Sequence, residues 1–171
     1  MLPGWLALPP VDPALFLWFL PFTLPIAGWV AWSDMARMKI PNRAVLSLAA
    51  VWVLSLVILP WQYAVVGVVL MVVTLVITFF LNMGGLVGAG DAKFAAAMAP
   101  FFTGADLPQL AYLYAACCIG ALVVHRGARA VPAIRRMAPG WKSWTSPKFP
   151  FGLSLAGLLI FHPLLALILP R

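Results

Sequence analysis

Five apolar stretches, at residues 14–32, 44–60, 63–82, 109–125 and 151–169, constrain this 171-residue chain more than any other feature. A helix that crosses the hydrocarbon layer needs about 20 mainly apolar residues, with about 17 as a lower limit. Each of the five qualifies. A sixth stretch, 92–103, is short for a crossing unless it tilts, thins the bilayer locally or borrows the glycine-rich residues before it. The expected fold class is therefore all-α, a polytopic membrane helix bundle of about six transmembrane helices, built as one domain over residues 1–171. With 64% hydrophobic residues against 9% charged ones, a water-soluble globule is excluded. A mean hydropathy of +1.04 excludes disorder, which requires low hydrophobicity. No internal repeat is visible.

Lys and Arg number 11 against four acidic residues, a formal charge of +7. In a soluble chain that excess points to nucleic acid. Here it has a topological explanation. Placing the amino terminus outside puts loops 33–43, 83–91 and 126–150 on the cytoplasmic side. Those loops and their flanks carry Arg37, Lys39, Arg43, Lys93, Arg126, Arg129, Arg135, Arg136, Lys142 and Lys148, leaving only Arg171. The reverse orientation breaks the positive-inside rule at every informative loop. No nucleic-acid partner is expected; the partner implied is the lipid bilayer. No Lys or Arg precedes Arg37, and Pro21 and Pro25 interrupt the first run, so that run is expected to stay as a helix and not to be removed as a signal.

Two segments have more than one reading. Loop 126–150 is basic and broken by Pro132 and Pro139, with Trp141 and Trp144 suited to the headgroup zone. It either lies on anionic lipid or docks a substrate. Cys117 and Cys118 are adjacent inside an apolar run, so they supply neither a disulfide framework nor a four-thiolate zinc site, and they read as packing residues. No cofactor or metal is expected.

Acidic residues are scarce, and two of them flank predicted spans on the cytoplasmic side: Asp34 in WSDMARMKIPN and Asp91 in GGLVGAGDAKF. Charge near hydrocarbon is costly, so function is the default hypothesis. Spans 44–60 and 63–82 carry the chain out and back, which brings two carboxylates 57 positions apart to one depth. Two carboxyls at close range cannot both ionise cheaply, and they share a proton. The ionised member takes a proton from water while the neutral one polarises a peptide carbonyl. The pair titrates as a unit, so neither member is assigned as fixed acid or base. The alternative is simple pairing, of Asp34 with Arg37 or Lys39 and of Asp91 with Lys93. Gly84, Gly85, Gly88 and Gly90 either open a wet pocket beside Asp91 or allow close helix packing.

Asp34 with Ile40-Pro41-Asn42, then Gly88-Ala89-Gly90-Asp91 with Lys93, resembles the type IV prepilin peptidase family, membrane aspartic proteases with a Gly-x-Gly-Asp motif. The similarity extends to Lys148-Phe149-Pro150-Phe151-Gly152, like a Pro-Phe-Gly stretch found in that family. The resemblance implies six helices, catalytic Asp34 and Asp91, and an active site at the cytoplasmic face of a bacterial inner membrane. It implies an aspartic endopeptidase that cuts the short basic leader from type IV prepilin or pseudopilin precursors, with pilus-assembly or secretion proteins as further partners; Gly88 and Gly90, whose loop frees backbone amides for an extended peptide, and Lys93 are the expected substrate-binding residues. The cysteine-rich insertion of larger members is missing, so the chain is similar to the minimal peptidases of tight-adherence or Flp-type pilus systems. Methylation and zinc are not implied.

Other residues are read more locally. Asn42 is the expected N-cap of the second span, with Pro41 setting its entry. Lys93 either favours ionisation of the pair or faces headgroups. His162 reads as a packing residue, and Asn82 as a candidate lining of the pocket. Two rivals stand beside the peptidase reading. A presenilin-like intramembrane protease shares Gly-x-Gly-Asp, but neither a Tyr-Asp element at Asp34 nor a Pro-Ala-Leu element near the last span is present. The other is a small transporter or secretion-apparatus scaffold whose aspartates carry protons or pair with Lys.

Overall fold

The computed structural model describes residues 17–168; Asp12, Arg171 and the first residues of the predicted span 14–32 lie outside this range. Among the described residues the elements are all helical: α1 Leu20–Arg37, α2 Asn42–Ser55, α3 Trp61–Met83, α4 Ala89–Met98, α5 Leu107–Ala130, α6 Pro132–Met137 and α7 Phe151–Ile168. Short 3₁₀ turns cover Ala99–Phe102 and Lys142–Trp144. Two helices, α3 and α5, are long and apolar enough to cross a membrane. At 1.5 Å per residue they extend about 35 Å, more than the hydrocarbon layer requires.

The helix ends depart from the sequence expectation in instructive ways. Helix α1 runs five residues past the predicted end of its span, so Asp34 sits in its last turn and not in a loop. It stops at Met38, which adopts the left-handed conformation (φ 55°) and donates its N–H to the Asp34 carbonyl at 2.8 Å. A left-handed C-cap is usual at helix ends, but a non-glycine residue there carries a local backbone cost. Helix α2 has 14 residues, about 21 Å, shorter than the predicted 44–60 segment. Its N-cap is Pro41, and Asn42 is the first helical residue, with no side-chain cap bond. The N-cap role assigned to Asn42 is therefore incorrect: the extended backbone that precedes a helix falls one residue earlier, at Pro41 (ψ 138°).

The short fourth segment explains itself through its neighbours. Phe94, Ala96, Ala97 and Met98 of α4 are buried, and α4 packs on α2, α3 and α7. A helix wrapped by protein does not need the length of a lipid-facing span. Its alanines let neighbouring backbones approach, the usual means of helix association in lipid. Helix α1 packs most extensively on α7, and α5 also packs on α7. Phe94, Leu48, Met98 and Val30 fill the interior.

The first five residues of loop 126–150 continue α5, and α6 lies exposed within it. Trp144 is buried, donates its indole N–H to the Ala138 carbonyl at 2.8 Å and stacks on His125 and Trp141. A local carbonyl satisfies the polar edge of the Trp144 ring and lets its apolar body bury against protein.

Candidate active site

Three described acidic residues are left to account for, and Asp106 is structural. Its carboxylate accepts from the Gln109 N–H at 2.8 Å, an N-cap for α5. Asp34 and Asp91 remain. Both lie beyond the predicted apolar segments 14–32 and 92–103, at the ends of their helices.

Asp34 is buried, 5% exposed, in the final turn of α1. Its Oδ2 accepts from the Gly152 backbone N–H at 2.7 Å, a contact between positions 118 apart in sequence. Gly152 sits in the first turn of α7, where helix N–H groups have no intrahelical acceptor and are free to bind an anion. A Cβ at position 152 would stand 2.9 Å from both Cβ and Oδ2 of Asp34. Only glycine allows that approach. Burial pushes the Asp34 carboxyl above its usual range, and the Gly152 amide partly offsets this.

Asp91 lies in the first turn of α4 and is half-buried. Burial first, then the Asp34 charge, push its carboxyl up to about 6, against a lowering by the Gly88 backbone amide. The two carboxyls therefore sense one another across α1 and α4. Among the described residues no Lys or Arg contributes to either. The Arg37 guanidinium instead lies over the Trp32 ring, 5.0 Å from its centroid. Lys39 and Lys93 are exposed. The simple ion-pair alternative finds no support in this geometry.

The sequence motifs come together around this pair. A Cβ at Gly90 would lie 3.2 Å from Ile40 Cβ and 3.4 Å from the Ile40 backbone nitrogen, so the Ile-Pro-Asn turn packs directly against the Gly-x-Gly-Asp turn. Ser33, buried beside Asp34, donates its hydroxyl to the Lys39 carbonyl at 2.9 Å and fixes that turn from the other side. The Cβ position of Gly88 is taken by the Asp91 carboxylate, 2.6 Å away. Asn82 donates to the Val87 carbonyl at 2.7 Å and braces the Gly-rich loop. His162 packs edge-on against Phe102.

A cavity of about 500 Å³ opens beside Asp91, lined by residues of α3, α4, α5 and α7. Asp91 is its single charged lining residue. Sequence reasoning named Gly152 within the Pro-Phe-Gly stretch but gave it no role; its contribution is a backbone donor. The available signal was its place just after Pro150, at a helix start, where free amides are found.

These features define a class: a helical membrane protein with two carboxyls at helix ends and, among the described residues, no Lys or Arg against either. Residues 21–125, more than half of the chain and inclusive of both aspartates, match the type IV leader peptidase family. The chain belongs to that family, and is a peptidase. No curated protein and no solved structure matches it.

Proposed function

We propose that this protein is an aspartic endopeptidase that removes the short basic leader from type IV prepilin-like precursors at the cytoplasmic face of a bacterial inner membrane, with Asp34 and Asp91 as its catalytic dyad. One observation carries the reading: the Asp34 carboxylate accepts from the Gly152 backbone amide, the Asp34 charge reaches Asp91, and no Lys or Arg among the described residues neutralises either. A structural ion pair would show the opposite arrangement.

The dyad holds one proton between its members. The ionised carboxylate takes a proton from a water molecule as the water oxygen bonds to the scissile carbonyl carbon. The neutral carboxyl gives its proton to the carbonyl oxygen, which yields a neutral tetrahedral diol. The carboxyl that took the proton from water then gives it to the amide nitrogen while the other carboxylate takes a proton from a diol hydroxyl, and cleavage of the C–N bond releases the amine and the new carboxyl group. The Gly152 N–H orients the Asp34 carboxyl, and neither member is assigned as fixed acid or base because the pair titrates as a unit. Six crossings, the outward amino terminus and substrate contacts at Gly88, Gly90 and Lys93 belong to the same proposal.

The test is purified protein in lipid vesicles with a prepilin precursor. Release of the leader, with the cut identified by mass spectrometry, is the expected result. Uptake of a solute without cleavage would favour the transporter reading instead.

A further inference from the structure

We infer that the turn Lys142–Trp144 clamps the contact between Asp34 and Gly152, and that His125, in the last two turns of α5, is the positioning residue through which the clamp acts. The inference rests on the peptidase reading for its effect on cleavage; the clamp itself is read without it.

The bond from the Gly152 N–H to Asp34 joins the first turn of α7 to the last turn of α1, and both helices need support for that contact to hold. On one side, the turn Lys142–Trp144 packs directly on α1. On the other, a chain of rings leads from the same turn to α7. Trp144 is buried and stacks on His125, with centroids 5.8 Å apart and planes within 12° of parallel, and Trp141 extends the stack at 5.4 Å. His125 meets Phe149 edge-on at 5.8 Å, and Phe149 meets Phe151 edge-on at 5.3 Å. Phe151 opens α7 and is the neighbour of Gly152 in the chain. Both ring arrangements are the favoured ones for aromatic pairs, which hold a definite geometry as well as burying area. Pro150, fully buried between Phe149 and Phe151, restricts the backbone at the same point.

His125 is the link the two halves share. It is 2% exposed, and it alone touches both Trp144 and Phe149 in this chain of rings. Its ring nitrogens close no hydrogen bond among the described residues, and the Ser143 backbone lies beside the ring without completing one. The ring therefore acts through its face and edge, and a phenyl ring can replace it. That sets the positioning role apart from a catalytic one, which would need a nitrogen.

Amide hydrogen exchange at Gly152, measured on the full chain in detergent, tests the clamp without any substrate. His125→Ala is expected to speed that exchange at least about tenfold, and His125→Phe to stay within about threefold of wild type. Phe149→Leu, which cuts the ring chain while keeping an apolar side chain, carries the same expectation as His125→Ala and serves if that variant does not fold. Leu48→Ala, in the core at α2, is the control: it should lower Tm and leave Gly152 exchange within about threefold. Unchanged exchange in His125→Ala and Phe149→Leu, equal acceleration in Leu48→Ala, or failure of His125→Phe to restore the wild-type value would each overturn the inference. With a prepilin precursor in vesicles, His125→Ala should lower kcat at least about tenfold with KM changed less than about threefold, and His125→Phe should recover kcat. Wild-type kcat in His125→Ala despite fast Gly152 exchange would overturn the link from clamp to catalysis. A wild type that cuts nothing would refute the peptidase reading, while the exchange at Gly152 still reads the clamp.

Discussion

Replacing Asp91 with Asn should make the protein more stable and inactive at once, and the stability gain should depend on pH in a defined direction. The Asp91 carboxyl is held at about 6, above its ordinary 3.8, so the folded state binds its proton more tightly than the unfolded state. Stability linked to this group is full below about 3.8, is lost as pH rises through about 6, and stays lost above it. A displacement of this size corresponds to a ceiling of about 3 kcal/mol. Asp91 is only half-buried, so solvent screening reduces the expected gain to about 1–2 kcal/mol. For a chain of this size that is a rise of roughly 2–8 °C in Tm. Thermal melts of wild type and Asp91→Asn in detergent, at pH 8 and pH 4, read it directly. The expected gain is present at pH 8 and largely absent at pH 4. A loss of stability in Asp91→Asn at pH 8 would mean that the carboxylate makes favourable contacts in the fold, and would refute the reasoning.

Three further outcomes follow from the site and the core. Gly152→Ala places a Cβ 2.9 Å from Asp34 and displaces the carboxyl held by the 2.7 Å bond; precursor cleavage should fall about 10- to 100-fold with the fold retained by circular dichroism. The pH–rate profile should show kcat/KM falling above about pH 6, close to tenfold per unit, because the dyad loses the single proton it needs as Asp91 ionises; a profile flat from pH 6 to 9 would contradict this. Phe94→Ala, at a fully buried position of α4, should cost about 3 kcal/mol and lower Tm, measured by melting in detergent.

The all-helical class was legible in the apolar runs, two of which form helices long enough to cross a membrane, and the two aspartates stood out because acidic residues are so scarce. Helix ends were harder. The continuation of α1 to Arg37 depends on Ser33, Asp34 and Met35 being buried against neighbours that no local pattern reveals. The shortness of α4 is tolerated because protein, not lipid, covers much of it, which is a tertiary fact. Trp144 looked suited to headgroups, and the partnership of its indole with the Ala138 carbonyl was not legible. Gly152 was legible as a residue and illegible as a donor, because its contribution is a backbone amide aimed across 118 positions. The glycines before Asp91 had two readings, and contact of Gly90 with Ile40 favours close packing at that position.

The central claim is that two carboxyls act together on one peptide bond, and single substitutions test it most directly. Wild type, Asp34→Asn and Asp91→Asn, each in vesicles with the same prepilin precursor, are compared by the amount of leader released. The account predicts release by the wild type and a loss of at least about a hundredfold in each variant, with all three equally folded. Leader release near the wild-type rate by either variant would contradict it.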